Sequence, residues 1–305
     1  MVTVDRNRLD AVLPLTAADS ARAQILFRSL EAFFEPLGTC YVVAPDAEAT
    51  VVRAQVPPEY CSVLRESDVI PEIGYFRTTA RLRAKLRLVG PPINGWFIQQ
   101  LVKLAVAERI ASLFYLTLDA DVVCVRPTKY EDLVVEGRAL VQSVPPNHPE
   151  WNDDAERVLA LPRSGRQFGV TPAVLSAEAV AKLAGHLQLR VRPRLRRFVS
   201  WRSFLLRNLP WTEYVLYHTF LEGTGLAAAY HVDAGVDVIY SNAVWMESEF
   251  EGWDPAAGSA PFSLVQSATR IPPERVWERV RSLTNRSTAL SREPRSVARS
   301  LPSAL

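Results

Sequence analysis

The sequence predicts an α/β fold with a mostly parallel central sheet flanked by helices, and three observations carry that expectation. An apolar strand over residues 9–15 is followed by an amphipathic run over 21–34 and a second apolar strand over 41–44. Strand, helix and strand in that order imply a parallel crossover unit. Residues 96–110 (WFIQQLVKLAVAERI) repeat apolar side chains at helical spacing and lead into a second long apolar run, 113–123. That run is apolar on both faces, as in the middle of a parallel sheet, and is interrupted only by Asp119 and Asp121.

Each element has a local reason. Thr16, Asp19 and Ser20 offer capping side chains ahead of the first helix, and Pro45-Asp46 close the second strand. Residues 51–56 and 67–70 read as weaker strands. Beyond the carboxylates, 139–144 reads as a strand, followed by a Pro-rich loop holding 147–154. A short strand over 167–171 ends at Pro172; helices follow over 176–187 and 213–221, and late strands over 230–240 and 262–266. The expected division is one Rossmann-like domain over 1–275 and a C-terminal helix with a poorly ordered basic tail over 276–305. After Leu283 the chain is rich in Ser, Arg and Pro and loses its apolar period.

Composition narrows the function classes. The formal charge is +2 over 305 residues, which argues against a dedicated nucleic-acid partner. Lysine occurs only at Lys85, Lys103, Lys129 and Lys182, so the arginine bias reads as coding composition more than function. Cys40, Cys61 and Cys124 are widely spaced, forming neither a disulfide framework nor a zinc site, and fit a reducing compartment. Asp5, Arg6, Arg8 and Asp10 precede any apolar run, so no signal peptide is visible, and no stretch approaches a membrane span. A cytoplasmic protein is expected.

Asp119 and Asp121 at the end of a buried strand repel each other and are costly to desolvate without a positive partner. A divalent cation supplies one, and strand ends of α/β sheets are where ligands bind. Glu213, in the aromatic-rich run WTEYVLY, either faces a substrate as base or hydroxyl contact, or meets the dipole of its own helix. Gln100 and Lys103 share a helix face. Lys103 is a candidate to neutralise a ligand's diphosphate, the alternative being a solvated helix face. Asp46 after the second strand is a candidate base or ribose contact. His231 is a candidate metal ligand or a hydrogen-bonded histidine at a strand start, and Asp233 is a weaker substitute for it. Residues 190–207 hold seven arginines and no acid, with Phe198, Trp201, Phe204 and Leu205 as an apolar side. They read as a basic helix covering the core or as a peripheral membrane contact.

Taken together, LPLTAADSARA, YVVAPDAE, WFIQQLVKL, YLTLDADVVCVRP, QFGVTPAVLS and WTEYVLY make the chain resemble the GT-A class of nucleotide-sugar glycosyltransferases, over about residues 9–270 and closest to bacterial members of unassigned substrate. The resemblance implies a GT-A-like domain that binds a UDP- or GDP-sugar with Mn²⁺ or Mg²⁺ and transfers the sugar to a glycan, lipid-linked or small-molecule acceptor. It further implies that Asp121 ligates the metal, Asp119 contacts metal or ribose, and His231 is a third ligand. Thr16 and Asp19 would contact the nucleoside, and Glu213 and Asp121 would be catalytic.

Three rivals stand beside that reading. LDADVV also fits a haloacid-dehalogenase-like phosphatase with Asp119 as nucleophile, although that motif usually opens its domain. A sugar nucleotidyltransferase would use the same carboxylates but lacks here a Gly-rich, lysine-bearing loop after the first strand. A catalytically silent nucleotide-sugar-binding protein is the third.

Overall fold

The computed structural model describes residues 7–85, 93–145, 147–162, 165–168 and 171–290. Strands β1 (Leu9–Pro14), β2 (Leu37–Ala44) and β3 (Cys61–Arg65) alternate with helices α1 (Ser20–Phe33), α2 (Ala49–Arg53), α3 (Glu66–Val69) and α4 (Ile73–Lys85). Helix α5 (Gly95–Ala105) feeds β4 (Phe114–Thr117), followed by β5 (Val122–Cys124), β6 (Val134–Val135), β7 (Arg138–Val141) and β8 (Ser143–Val144). Then come α6 (Pro149–Leu159), β9 (Gln167–Phe168), β10 (Ala173–Ser176), α7 (Ala177–Arg190), α8 (Trp201–Arg207) and α9 (Glu213–Gly223). The chain closes with α10 (Ala227–Tyr230), β11 (His231–Asp233), β12 (Phe262–Leu264) and α11 (Pro273–Leu290).

The central sheet runs β10-β4-β1-β2-β3, parallel throughout except for the antiparallel edge strand β10. The mostly parallel sheet flanked by helices expected from the sequence is therefore present. Alternation sorts its side chains. Leu9, Ala11 and Leu13 of β1 join Phe114 and Leu116 of β4 against α1, while Val12 and Tyr115 join the opposite core with α5, α7 and α9. A one-residue slip of β1 would exchange these sets, so burial fixes the register.

Several expectations need correction. Residues 51–56 do not form a strand: Ala49 and Val52 are buried three residues apart, which is the face of a helix, α2. The 67–70 segment is likewise helical, with Glu66 and Val69 on its buried side and the Asp68 carboxylate accepting from the Arg65 amide at 2.9 Å. The third strand is instead Cys61–Arg65. Only His231–Asp233 of the expected 230–240 strand is extended. Gly235 and Asp237 take positive φ, the Gln142 side-chain oxygen accepts from the amides of Val238, Ile239 and Tyr240, and Tyr240 makes only an isolated bridge to Phe262. The expected 139–144 strand breaks at that same Gln142. Strand β10 was not anticipated, and Gly169 and Val170 of the expected 167–171 strand lie outside the described residues. Asp10 does not belong to a solvated terminus. It is buried at the start of β1, its carboxylate accepting from the amides of Thr39, Ala111 and Ser112 at 2.9, 2.9 and 3.2 Å.

In the 190–207 segment, Trp201, Leu205 and Leu206 of α8 turn into the protein's own core, whereas Leu195 and Phe198 are exposed. The expected one-sided membrane helix is thus not formed. Helix α11 continues to Leu290, beyond the point where the apolar period fades, and packs on α1, with Leu283 partly buried. The tail over 291–305, Asp5, Arg6 and Pro146 of the Pro-rich loop lie outside the described residues. No helix among the described residues is long and apolar enough to cross a membrane.

Candidate active site

The expected strand over 113–123 is broken at the two carboxylates, and the break builds the site. Strand β4 stops at Thr117, with Leu118 still donating to Val12 at 2.8 Å; the chain turns, Val122 donating to Asp119 at 3.1 Å, and β5 leaves to pair with β12. Asp119 therefore closes one strand and Asp121 opens another, both at the carboxyl end of the parallel sheet. They line a cleft of about 830 Å³ together with Asp19, Gln100, Lys103 and Glu213.

Lys103 organises the cleft floor. Helix α5 delivers its ammonium, 4% exposed, to three acceptors: Asp119 at 3.0 Å, Glu213 at 3.1 Å and the Thr171 hydroxyl at 2.7 Å. An ammonium has three donors, so this one is fully engaged within the protein. Burial alone would push Lys103 down, but Asp119, Tyr214 and Glu213 together outweigh it and hold its pKa well above the usual lysine value. Burial raises the pKa of Glu213, and the Lys103 charge opposes that rise. Tyr214 extends the network, its hydroxyl 2.7 Å from Thr171 Oγ1 and 2.8 Å from Thr117 Oγ1.

Glu213 stands in the first turn of α9, where its charge meets the helix dipole, and its carboxylate also faces the cleft. Thr212 makes no side-chain cap; the Glu213 amide donates instead to Gln100 Oε1 at 2.9 Å, leaving the Glu213 carboxylate to face Lys103. Asp121 Oδ2 accepts from the Ser267 amide at 3.1 Å. Burial first, and then the neighbouring Asp119 charge, raise Asp121 to about 6.

The remaining predicted residues divide. Asp19 lines the cleft and accepts from the Thr16 hydroxyl at 2.6 Å, so Thr16 acts behind Asp19. Asp46 is outside the cleft lining and accepts from the Ser67 amide at 3.0 Å, at the start of α3. His231 is not brought to the carboxylates. It is buried, its Nε2 2.8 Å from the Tyr217 hydroxyl and its Nδ1 3.2 Å from the Ala139 carbonyl, and burial depresses it to about 4. Asp233 is engaged by Ser143 at 2.9 Å and by Arg166 at 2.5 Å. Among the described residues no three His, Cys, Asp or Glu side chains converge to hold a metal. Sequence reasoning missed Thr171, Tyr214 and Gln142. Tyr214 follows Glu213 directly and was legible in principle; Gln142 and Thr171 carry no local signal.

Comparison with known proteins adds the following. The galactosyltransferase LgtC, solved in complex with donor and acceptor sugar analogs, is similar at 14% identity and a TM-score of 0.43, over 95% of this chain and 97% of that one. No curated protein matches. Over residues 6–288 the chain matches the model of DUF6492, a family of unknown function, and it belongs to that family.

Proposed function

We propose that the protein is a divalent-cation-dependent glycosyltransferase that moves a sugar from a nucleoside-diphosphate sugar to a carbohydrate, lipid-linked or small-molecule acceptor. The observation that carries this reading is the pair Asp119 and Asp121 at the mouth of two strands, inside a cleft large enough for a nucleotide sugar, beside a buried Lys103–Glu213 pair.

The donor set fits a hard cation. Two carboxylates with no histidine beside them suit Mg²⁺ or Mn²⁺, which take carboxylate oxygens and complete their shells with phosphate and water. Asp119 and Asp121 would hold it, and a bound cation there would stabilise the negative charge left on a departing diphosphate. The chain's own groups do the rest. Lys103 fixes the Asp119 and Glu213 carboxylates on either side of one ammonium, and its charge opposes the rise that burial imposes on Glu213. Glu213 then offers a carboxylate to the sugar hydroxyls or takes the acceptor's proton. Asp19, oriented by Thr16, contacts the nucleoside, and Gln100 holds the start of α9 so that Glu213 keeps its direction.

Thermal denaturation with UDP- and GDP-sugars, with and without Mn²⁺, tests the proposal. Stabilisation of several degrees that requires both cation and nucleotide sugar supports it. Hydrolysis of a generic phosphate ester that disappears in Asp119→Asn, with no response to nucleotides, would sink it in favour of the phosphatase.

A further inference from the structure

The cleft has a second wall unlike the carboxylate floor. Trp96 and Trp245 line it while 45% and 44% exposed, an unusual state for large aromatic side chains. His148 lies nearly flat on Trp151, with centroids 4.2 Å apart and planes 18° apart, and both face the same cleft. These four rings come from three separate places in the chain: the first turn of α5, the start of α6 and the loop after β11. Trp151 is partly buried against the core, but a core explanation of Trp96 and Trp245 requires burial that they do not have. Asn147 and Gln99 add amide groups to the same lining.

The charges of the lining say which ligand this wall suits. Five carboxylates, Asp19, Asp119, Asp121, Glu213 and Asp237, face two permanent cations, Arg22 and Lys103, among the described lining residues. Both cations are committed. Arg22 donates to the carbonyls of Val265 and Ile271 at 3.0 and 2.8 Å, and Lys103 has its three acceptors. His148 is paired with Glu150 at 3.0 Å. An acidic ligand that brings no cation with it would meet the cleft's excess of carboxylates over cations, whereas an uncharged ring with one apolar face would stack on the indoles and turn its hydroxyls to the amides.

We propose that Trp96, Trp245 and the His148–Trp151 stack form the acceptor subsite, and that its ligand is a neutral pyranoside rather than an acidic or phosphorylated sugar. This rests on the transferase reading for the word acceptor, but sugar binding at these rings can be measured without turnover.

The test is saturation-transfer NMR on the full chain with a panel of neutral disaccharides and their uronic-acid counterparts, run with and without Mn²⁺ and UDP. Neutral members are expected to bind at least tenfold more tightly than the acids. Trp96→Ala and Trp245→Ala should each weaken them at least tenfold, while Trp96→Phe keeps most of the affinity and guards against a folding defect. Equal or better binding of the acidic sugars, or unchanged binding in both alanine variants, overturns the proposal. So does the absence of any neutral binder while UDP still binds with Mn²⁺, and that outcome leaves the donor reading standing. Loss of UDP affinity in Trp96→Ala with neutral-sugar affinity unchanged would reassign Trp96 to the nucleobase.

Discussion

Lys103 shows how one side chain sets the chemistry of the cleft. Its ammonium is 4% exposed between two carboxylates and a hydroxyl, so removing it strands the buried Glu213, whereas Asp119 keeps access to water. Breaking a buried ion pair from one side costs about 3–5 kcal/mol. Lys103→Met should therefore lower the melting temperature by on the order of 10 °C. Adding Glu213→Gln to that variant should recover part of the loss; a Lys103→Met protein that melts with wild type would contradict the ion cluster. Glu213→Gln alone, neutral and nearly isosteric, should reduce kcat by about 100-fold or more while leaving UDP affinity intact. Wild-type turnover in that variant would remove Glu213 from the catalytic set. These roles were only half legible. The spacing of Asp119 and Asp121 on an apolar run marked the site, because burying two carboxylates demands an explanation. That Lys103 spends its donors on those acids, and not on a ligand, depends on 16 and 110 residues of sequence separation that no local pattern encodes.

At the scale of elements, α9 carries Glu213 into the cleft and a second set of groups away from it. His218 packs against Phe168 at a tilt of 38°, with centroids 4.4 Å apart, and its ring centroid lies 5.3 Å from that of His231. Burial holds His218 well below the usual histidine value and His231 at about 4. A depressed histidine contributes stability above its unfolded pKa near 6.5, and that contribution is lost as pH falls toward the folded value. Wild type should accordingly lose more stability between pH 6.5 and 4.5 than His218→Phe, as read by urea melts at each pH. The raised Asp121 acts in the opposite direction in this window but equally in both proteins, so the difference isolates His218. Parallel acid limbs would contradict the account. The elements that sequence reading placed well, such as β1, α1 and α5, have long unbroken periods. Those it misplaced are short: α2 and α3 bury only two residues each, and in the 230–240 segment strand pairing with β7 stops at Asp233, the amides of Val238 to Tyr240 donating to the Gln142 side chain.

For the whole molecule, a formal charge of +2 conceals segregation: an acidic cleft in one place and seven arginines without an acid over 190–207 in another. Leu195 and Phe198, 46% and 72% exposed, sit in that basic segment. A peripheral contact with an anionic bilayer would use these residues, not the buried Trp201 and Leu205. The full chain should pellet with vesicles containing anionic phospholipid, less so in high salt, and Phe198→Glu should reduce the pelleted fraction. Equal recovery with zwitterionic vesicles would contradict that contact.

In the proposed function, Asp119 and Asp121 hold a cation that in turn holds a nucleoside diphosphate. Calorimetric titration of UDP into the protein, with Mn²⁺ or with chelator, addresses it most directly. Binding should weaken at least a hundredfold in chelator and in Asp121→Asn. Equal UDP affinity with Mn²⁺ and with chelator, or an Asp121→Asn protein that binds like wild type, would contradict it.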